Sequence, residues 1–318
     1  MSRWFSASPA SRFGFVLLLL LPIAGHALEA VALAPGVWMI PGVLAEVNDG
    51  NRGRVVNIGI IAGAEGAIVI DSGANRLQGE AILAAAQRLA GKPVSLVINT
   101  HPHPQNVLGN AAFAAQGIPI LASEQTRARM AERCPRCVAA IAEVVGSEAM
   151  AGTAIVLPGL TVAATETRSV AGRRLRLLVP GHAHSEGDLA VHDLDSGVLF
   201  SGDLVYRGQV PHLAEARIDG WLGALDVLRR EPARWLVPGR GAPGTLRDLE
   251  PLAEYLVSLR ARVAAAYAQG RSLDEALERA ALHDFASWEG YASRHARNVQ
   301  HVYFEIERAD LIGARGRQ

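Results

Sequence analysis

Thr100-His101-Pro102-His103-Pro104-Gln105-Asn106-Val107-Leu108-Gly109-Asn110 is the stretch on which the fold turns. It follows Val94–Ile98, a short aliphatic run of the kind that forms a buried strand. Two histidines one residue apart in extended backbone point to the same side, because side chains there repeat every two residues. Loops after strand ends are where layered α/β enzymes place reactive groups. Imidazole nitrogens bind zinc, and a zinc site needs three or four ligands, so His101 and His103 call for partners elsewhere in the chain.

Working outward, the pattern is strand and hairpin, then strand and helix, twice over. Val55–Ala62 and Ala67–Asp71 read as strands joined at Gly63-Ala64-Glu65-Gly66. Asn75–Ala90 has apolar residues at helical spacing and stops at Gly91. Ile118–Leu121 reads as a strand, and Ser123 opens a helix running towards Val145. Short β-runs follow at Ile155–Leu157, Leu160–Ala164 and Leu175–Val179. Leu189–His192 and Val198–Phe200 form a hairpin about Asp195-Ser196-Gly197. Gly220–Arg230 is helical, Trp235–Val237 is a strand, and after Gly244 the text is helical to the end with a break at Gly270. This predicts an α/β layered domain over 28–249, with 250–318 packed on it as a helical extension.

Three further clusters also sit at predicted strand ends: Gly181-His182-Ala183-His184-Ser185-Glu186-Gly187-Asp188, Ser201-Gly202-Asp203-Leu204 and Val237-Pro238-Gly239-Arg240-Gly241. Four clusters at strand ends of one layered fold are placed to converge. His182 reads as a loop histidine without a role, and His192 as a packed strand residue. His212, His283, His295 and His301 lack metal spacing, although His212 closely follows the Asp203 loop.

Half of the 318 residues are hydrophobic and 19% are charged, which supports a large core and excludes wholesale disorder. Basic and acidic residues balance at 31 each, so composition offers no case for nucleic-acid binding. Lys92 is the one lysine, which sets Schiff-base chemistry aside. Arg3 and Arg12 precede the apolar run Phe13–Ile23, too short for the roughly 20 residues of a bilayer span. Gly25-His26-Ala27 follows with small residues at a cleavage position. Residues 1–27 therefore read as a secretory signal peptide, with the mature chain in a periplasm, near-neutral and without a stable membrane span. In that oxidising setting Cys134-Pro135-Arg136-Cys137 reads first as a local disulfide, second as a redox pair and third as part of a metal site.

Residues 100–110 resemble the THxHxDHxxG signature of metallo-β-lactamase-fold hydrolases. Supporting landmarks come in the family's order. Val69-Ile70-Asp71-Ser72-Gly73 resembles its VIDTG strand end, and His184-Ser185-Glu186-Gly187-Asp188 its HTxGD turn. Phe200-Ser201-Gly202-Asp203 resembles its FxGD strand, and Val237-Pro238-Gly239-Arg240-Gly241 its final VPGHG. The resemblance covers about 36–245. The start Ala34-Pro35-Gly36-Val37, the Asn51-Arg52-Gly53 segment and the helical tail are similar to the periplasmic quinoprotein relay system zinc metallohydrolases. The resemblance implies a four-layer αβ/βα sandwich and one metal held by His101, His103 and His184, with Asp203 beside it. It also implies a small-molecule substrate and a periplasmic quinoprotein-system partner.

The departures are equally specific. The family's second metal takes an aspartate where this chain has Gln105 and histidines where it has Asn106 and Arg240. Neutral amides are poor zinc ligands, and a guanidinium has no acceptor at all. The expectation is one zinc ion, a lost second site, Asp203 as base or water ligand, and Arg240 with His212 binding substrate. Arg240 would stand in for part of the missing charge. The alternative is a non-catalytic accessory protein in which Arg240 simply neutralises Asp203. Hydrolysis of β-lactams is a further, weaker reading.

Overall fold

The computed structural model describes residues 28–315; the signal-peptide reading of 1–27 lies outside the described residues. Among the described residues, twelve strands form two sheets. The first sheet runs β1 (Val31–Ala34), β2 (Val37–Ile40), β3 (Ile58–Ala62), β4 (Ala67–Ile70), β5 (Val94–Ile98), β6 (Ile120–Ser123) and β7 (Leu160–Val162) in chain order. Its first four strands are antiparallel and its last four parallel. The second sheet holds β8 (Glu166–Val170), β9 (Arg173–Leu178), β10 (Ala190–Asp193), β11 (Val198–Phe200) and β12 (Trp235–Val237). In it β12 pairs parallel to β11 and the other pairings are antiparallel.

Strand alternation explains the layering. Ile68, Ile70, Leu96 and Ile98 of one sheet meet Leu175, Leu177, Val191, Val198 and Phe200 of the other in a shared inner core. The intervening Val69 and Val97 face the opposite way and pack with Ile82, Leu83, Ala85 and Ala86 of α1 (Arg76–Ala90). On the far side Ala190, Leu199 and Leu236 pack against α6 (Ile218–Arg229) and the C-terminal helices α7 (Glu250–Ala268), α8 (Leu273–Arg279) and α9 (Ala296–Arg315). Helix, sheet, sheet and helix are the four layers expected, with the central strands of both sheets buried on both faces.

Helix α1 begins where Asn75 caps the amide of Gln78 and ends at left-handed Gly91. Its Gly79 lies against Gly109, where a Cβ would meet the Gly109 carbonyl at 2.4 Å. That approach fixes the loop carrying the short helices α2 (Pro104–Val107) and α3 (Asn110–Ala114).

Several elements differ from expectation. The strand read from Val55 starts at Ile58, because Asn57 is taken up in binding loops: its amide donates to the Pro238 and Gly241 carbonyls and accepts from Gly42. The helix opened by Ser123 breaks into α4 (Glu124–Arg133), a 3₁₀ turn over Cys134–Arg136 and α5 (Cys137–Val145). Pro135 lacks the N–H that a continuous helix needs there. Ile155–Leu157 is not a strand; Ile155 and Leu157 pack as irregular chain beside Val107. The tail is interrupted after Ala280 as well as at Gly270, with a π-turn at Tyr291–His295 before α9. Strands β1, β2 and β8 escaped the sequence reading: β8 and β1 are half-exposed edges, and polar Glu166-Thr167-Arg168-Ser169 lacks an apolar run. No described helix is long and apolar enough to cross a membrane.

Candidate metal centre

The four strand-end clusters do converge. His101 and His103 leave the end of β5, His184 follows β9, Asp203 sits in a 3₁₀ turn after β11, and Arg240 follows β12. One donor atom from each of His101, His103, His184 and Asp203 lies within 4.8 Å of the others. The three imidazoles meet edge to face, with centroids 4.7, 4.9 and 4.8 Å apart.

The tautomer of His101 follows from a relay that begins in β4. Asp71 ends that strand with φ 63°, a left-handed conformation that a non-glycine residue adopts only under constraint. Its carboxylate accepts from the Thr100 amide at 2.8 Å, the Thr100 hydroxyl at 2.8 Å and the Asn106 amide at 2.9 Å. The single hydroxyl hydrogen of Thr100 is thereby used. With Asp71 ionised, the Thr100 oxygen, 2.9 Å from His101 Nδ1, accepts from that nitrogen. His101 Nε2 is left with its lone pair facing the cluster, buried and without a hydrogen-bond partner.

The other two rings are turned outward through one nitrogen each. His184 Nδ1 faces Asp188 Oδ1 at 3.5 Å, and Asp188 is held by the amide and hydroxyl of Ser185. His103 Nε2 faces Glu215 Oε2 at 3.8 Å. An outer oxygen on one nitrogen of each imidazole is the arrangement that orients metal-ligating histidines.

Asp203 is fully buried. Tyr206 donates to its Oδ2 at 2.7 Å, His101 Nε2 lies 3.7 Å from the same oxygen, and Oδ1 has no partner. Arg240 Nε stands 3.5 Å from Oδ2, an ion-pair contact too long for a good hydrogen bond. Burial pushes Asp203 up, but the charge of Arg240, the neighbouring His101 and His184 rings and the Tyr206 hydrogen bond hold it well below the ordinary carboxylate range. Burial pushes His101 well below the usual imidazole range and Tyr206 well above the usual phenol range. Burial also raises Asp71 to about 7 against the pull of its three donors. The site therefore combines a His101 ring held neutral by burial with a fixed carboxylate and a fixed guanidinium. The orphaned His101 Nε2, 3.7 Å from Asp203 Oδ2 and among three convergent imidazoles, fits a metal ion.

A cavity of about 240 Å³ opens beside the cluster, lined by His103, Gln105, Tyr206, His212, Arg240 and Arg294 among others. His212, exposed, thus lies at the rim, as do Gln105 and Arg240. Asn106 is turned away: its amide donates to Asp71 and its carbonyl oxygen is buried without a partner. His192 packs in β10 against Glu231 at 2.8 Å, as expected of a strand histidine. His182 has the role it was denied: its Nε2 meets the Glu215 carbonyl at 2.7 Å and so helps hold the Glu215 loop. His283 and His295 lie in the C-terminal segment away from the cluster, and His301 lines neighbouring surface clefts.

Sequence reasoning missed Tyr206, Arg294 and Glu215. Arg294 reaches the cavity from the C-terminal π-turn, where it donates to Glu46 at 2.8 Å and the Val210 carbonyl at 2.6 Å. No local motif marks any of the three. The glycine before Arg240 was legible as part of a motif but not for its reason: a Cβ on Gly239 would meet Asp203 Oδ1 at 2.1 Å.

Comparison with known proteins bears on this geometry. A family model described as the Metallo-beta-lactamase superfamily matches residues 51–240. Hydroxyacylglutathione hydrolases of two Synechococcus strains, JA-3-3Ab and JA-2-3B'a(2-13), are 35% and 34% identical over 145 residues. Those stretches cover 45% of this chain and 47% of each relative, so the chain spans about half the length of the curated relatives it matches. A metallo-beta-lactamase from Pontibacter korlensis superposes with a TM-score of 0.59 at 26% identity, over 72% of this chain and 98% of its own. One from Hirschia baltica gives 0.57 at 23% identity, over 72% of this chain and 96% of its own, a likeness of fold alone.

Proposed function

We propose, for a chain that belongs to the Metallo-beta-lactamase superfamily, a periplasmic hydrolase that works with one zinc ion. The observation that carries this reading is the convergence of His101, His103, His184 and Asp203, with His101 Nε2 buried and unpartnered. Three imidazoles favour zinc among common divalent ions. When bound, such an ion supplies Lewis-acid activation of water and of the scissile carbonyl.

The chain's own groups do the rest. Thr100, Asp188 and Glu215 orient the three rings. Asp203 stays ionised under Arg240, so it acts as a fixed negative charge and acceptor rather than as a proton carrier near neutral pH. Tyr206 fixes Oδ2, the oxygen that lies 3.7 Å from His101 Nε2, while Oδ1 lies against Gly239. Arg240, charged at any working pH, presents a cation to the cavity where an anionic group or a developing oxyanion sits. His212 at the rim contacts the remainder of the substrate.

A second metal has no place in this reading. Gln105 and Asn106 are amides, Asn106 is bound to Asp71, and Arg240 puts a positive charge beside Asp203. Substrate classes to screen first are hydroxyacylglutathione-type thioesters, after the curated relatives, and β-lactams, after the solved structures. The signal-peptide reading of 1–27 supports the periplasm, and the likeness to quinoprotein relay metallohydrolases supports a partner in a quinoprotein oxidation system. The Arg240–Asp203 contact specifically favours one other reading, an accessory protein in which the pair is a neutralised remnant.

Elemental analysis of the purified mature protein separates the two. The hydrolase reading expects about one zinc per chain, lost in His184→Ala. Wild-type protein with no more metal than the variant would leave the accessory reading in its place.

A further inference from the structure

Cys134 and Cys137 are free thiols that the metal centre does not use. Cys134 lies in the 3₁₀ turn and Cys137 opens α5, so one helical turn separates them and their Sγ atoms stand 2.6 Å apart. That spacing brings the two Cα atoms into the range a disulfide spans. Among the described residues, the one cluster of three or more metal-ligating groups is the histidine–aspartate site, so this pair has no companions for a metal of its own.

The two thiols are unequal. Cys134 is 1% exposed and packed with Val107 and Met130, whereas Cys137 is half-buried at the surface. The sulfur–sulfur contact with Cys134 draws the Cys137 thiol below its ordinary range, and the same contact with burial pushes Cys134 up. An accessible, acidified thiol beside a buried one is the division between an attacking and a resolving cysteine.

The pair is also tied to the metal centre twice. Arg133, preceding Cys134, forms an ion pair with Glu215, whose other oxygen faces His103. Val107, against which Cys134 packs, belongs to α2, and His103 is the residue that opens that helix.

We propose that Cys134 and Cys137 form a reversible dithiol–disulfide couple that exchanges with a disulfide-bearing partner and whose state is felt at His103. The Cys137 thiolate attacks one sulfur of the partner's disulfide, and the other partner sulfur leaves as thiolate. Cys134 gives its proton to that thiolate and attacks the Cys137 sulfur, which expels the second partner sulfur. Two thiols of this chain are oxidised to one disulfide, and the partner's disulfide is reduced to two thiols. Closing the bond draws Cys137 and the start of α5 onto Cys134, and the strain passes through Arg133 and Val107 to the support of His103.

The test uses the full mature chain equilibrated in glutathione buffers of graded ratio, then acid-quenched, alkylated and analysed by mass. A single reversible transition from two free thiols to an intramolecular disulfide is expected. In the reduced protein iodoacetamide should label Cys137 on the order of tenfold faster than Cys134. A glutathione adduct without the intramolecular bond, or preferential labelling of Cys134, would overturn the couple. Cys137→Ser, at the half-buried position, should abolish the transition while keeping the fold by circular dichroism. Zinc affinity is then measured for each form against a chromophoric chelator after glutathione is removed. A difference of about tenfold is expected from disturbed support of a ligand. By reciprocity, zinc saturation should move the redox midpoint by about 30 mV. Equal affinities in the two forms would overturn the link to His103. Absence of zinc binding in both forms would count against the proposed function instead, and the thiol measurement would stand by itself.

Discussion

At the scale of single residues, the site is decided by which hydrogen each polar group has left to give. Asp71 takes the Thr100 hydroxyl hydrogen, Thr100 takes that of His101 Nδ1, and the lone pair of His101 Nε2 results. Asn106 is used in the same relay, and Arg240 sits by Asp203. On the one-zinc reading, the triple substitution Gln105→Asp, Asn106→His, Arg240→His is expected to raise bound zinc from one to two per chain, read by elemental analysis; a value still near one would mean that these positions do not face a second metal. Glu215 carries a pH signature. The closeness of His103 and Arg133 lowers it from 4.5 to about 2. The folded chain holds that proton less tightly than the unfolded one, so the unfolded state binds more protons between pH 4.5 and 2. Stability from Glu215 is full above that window and is lost as pH falls through it. With 31% of the side chain exposed, the contribution is about 1–2 kcal/mol. Glu215→Gln should lower stability by that amount at pH 7 and by almost nothing at pH 2, in urea titrations of metal-free protein.

Elements position these residues through close backbone approach. The turn after β12 lies flat on the Asp203 turn because Gly239 has no side chain; its amide donates to the Gly202 carbonyl at 2.8 Å. Gly239→Ala puts a Cβ 2.1 Å from Asp203 Oδ1 and 2.7 Å from the Asp203 amide, and the latter is backbone that cannot step aside. A cost of about 1–3 kcal/mol is expected, with Asp203 displaced and zinc retention weakened, by thermal unfolding and chelator competition. Unchanged retention would show that Asp203 is not part of the metal site. Asn57 performs the complementary task, tethering the chain before β3 to the carbonyls on either side of Arg240. Both interactions are between elements far apart in sequence.

For the whole molecule, the C-terminal helices are part of one core. Leu252, Tyr255, Leu256, Leu259 and Val299 belong to the cluster that also holds Leu199, Leu236 and Trp221 from the sheet and α6. Arg294 joins the extension to the Glu46 loop at the cavity. Ending the chain at 249 exposes this face of the second sheet, and each large apolar side chain left uncovered costs about 1.5–3 kcal/mol. The truncated chain should lose its cooperative calorimetric transition rather than unfold at a slightly lower temperature. A sharp transition in 28–249 would instead make the extension a separate domain.

Local physics determines what was legible in the sequence. Aliphatic runs ending in His101-x-His103, His184, Asp203 and Arg240 mark strands whose ends carry chemistry, since strand length and side-chain alternation are short-range properties. The caps at Asn75 and Ser123 and the stop at Gly91 follow from the same range of interaction. The tertiary structure alone decided the rest. Tyr206, Glu215 and Arg294 enter the site through contacts with groups distant in sequence, and no spacing rule records such a meeting. The start of β3 at Ile58 and the edge strands β1 and β8 depend on hydrogen bonds to partners elsewhere in the chain, which outweigh local propensity. Whether Asp203 is free to take a proton depends on the distance to Arg240, and that distance exists only once β11 and β12 lie side by side.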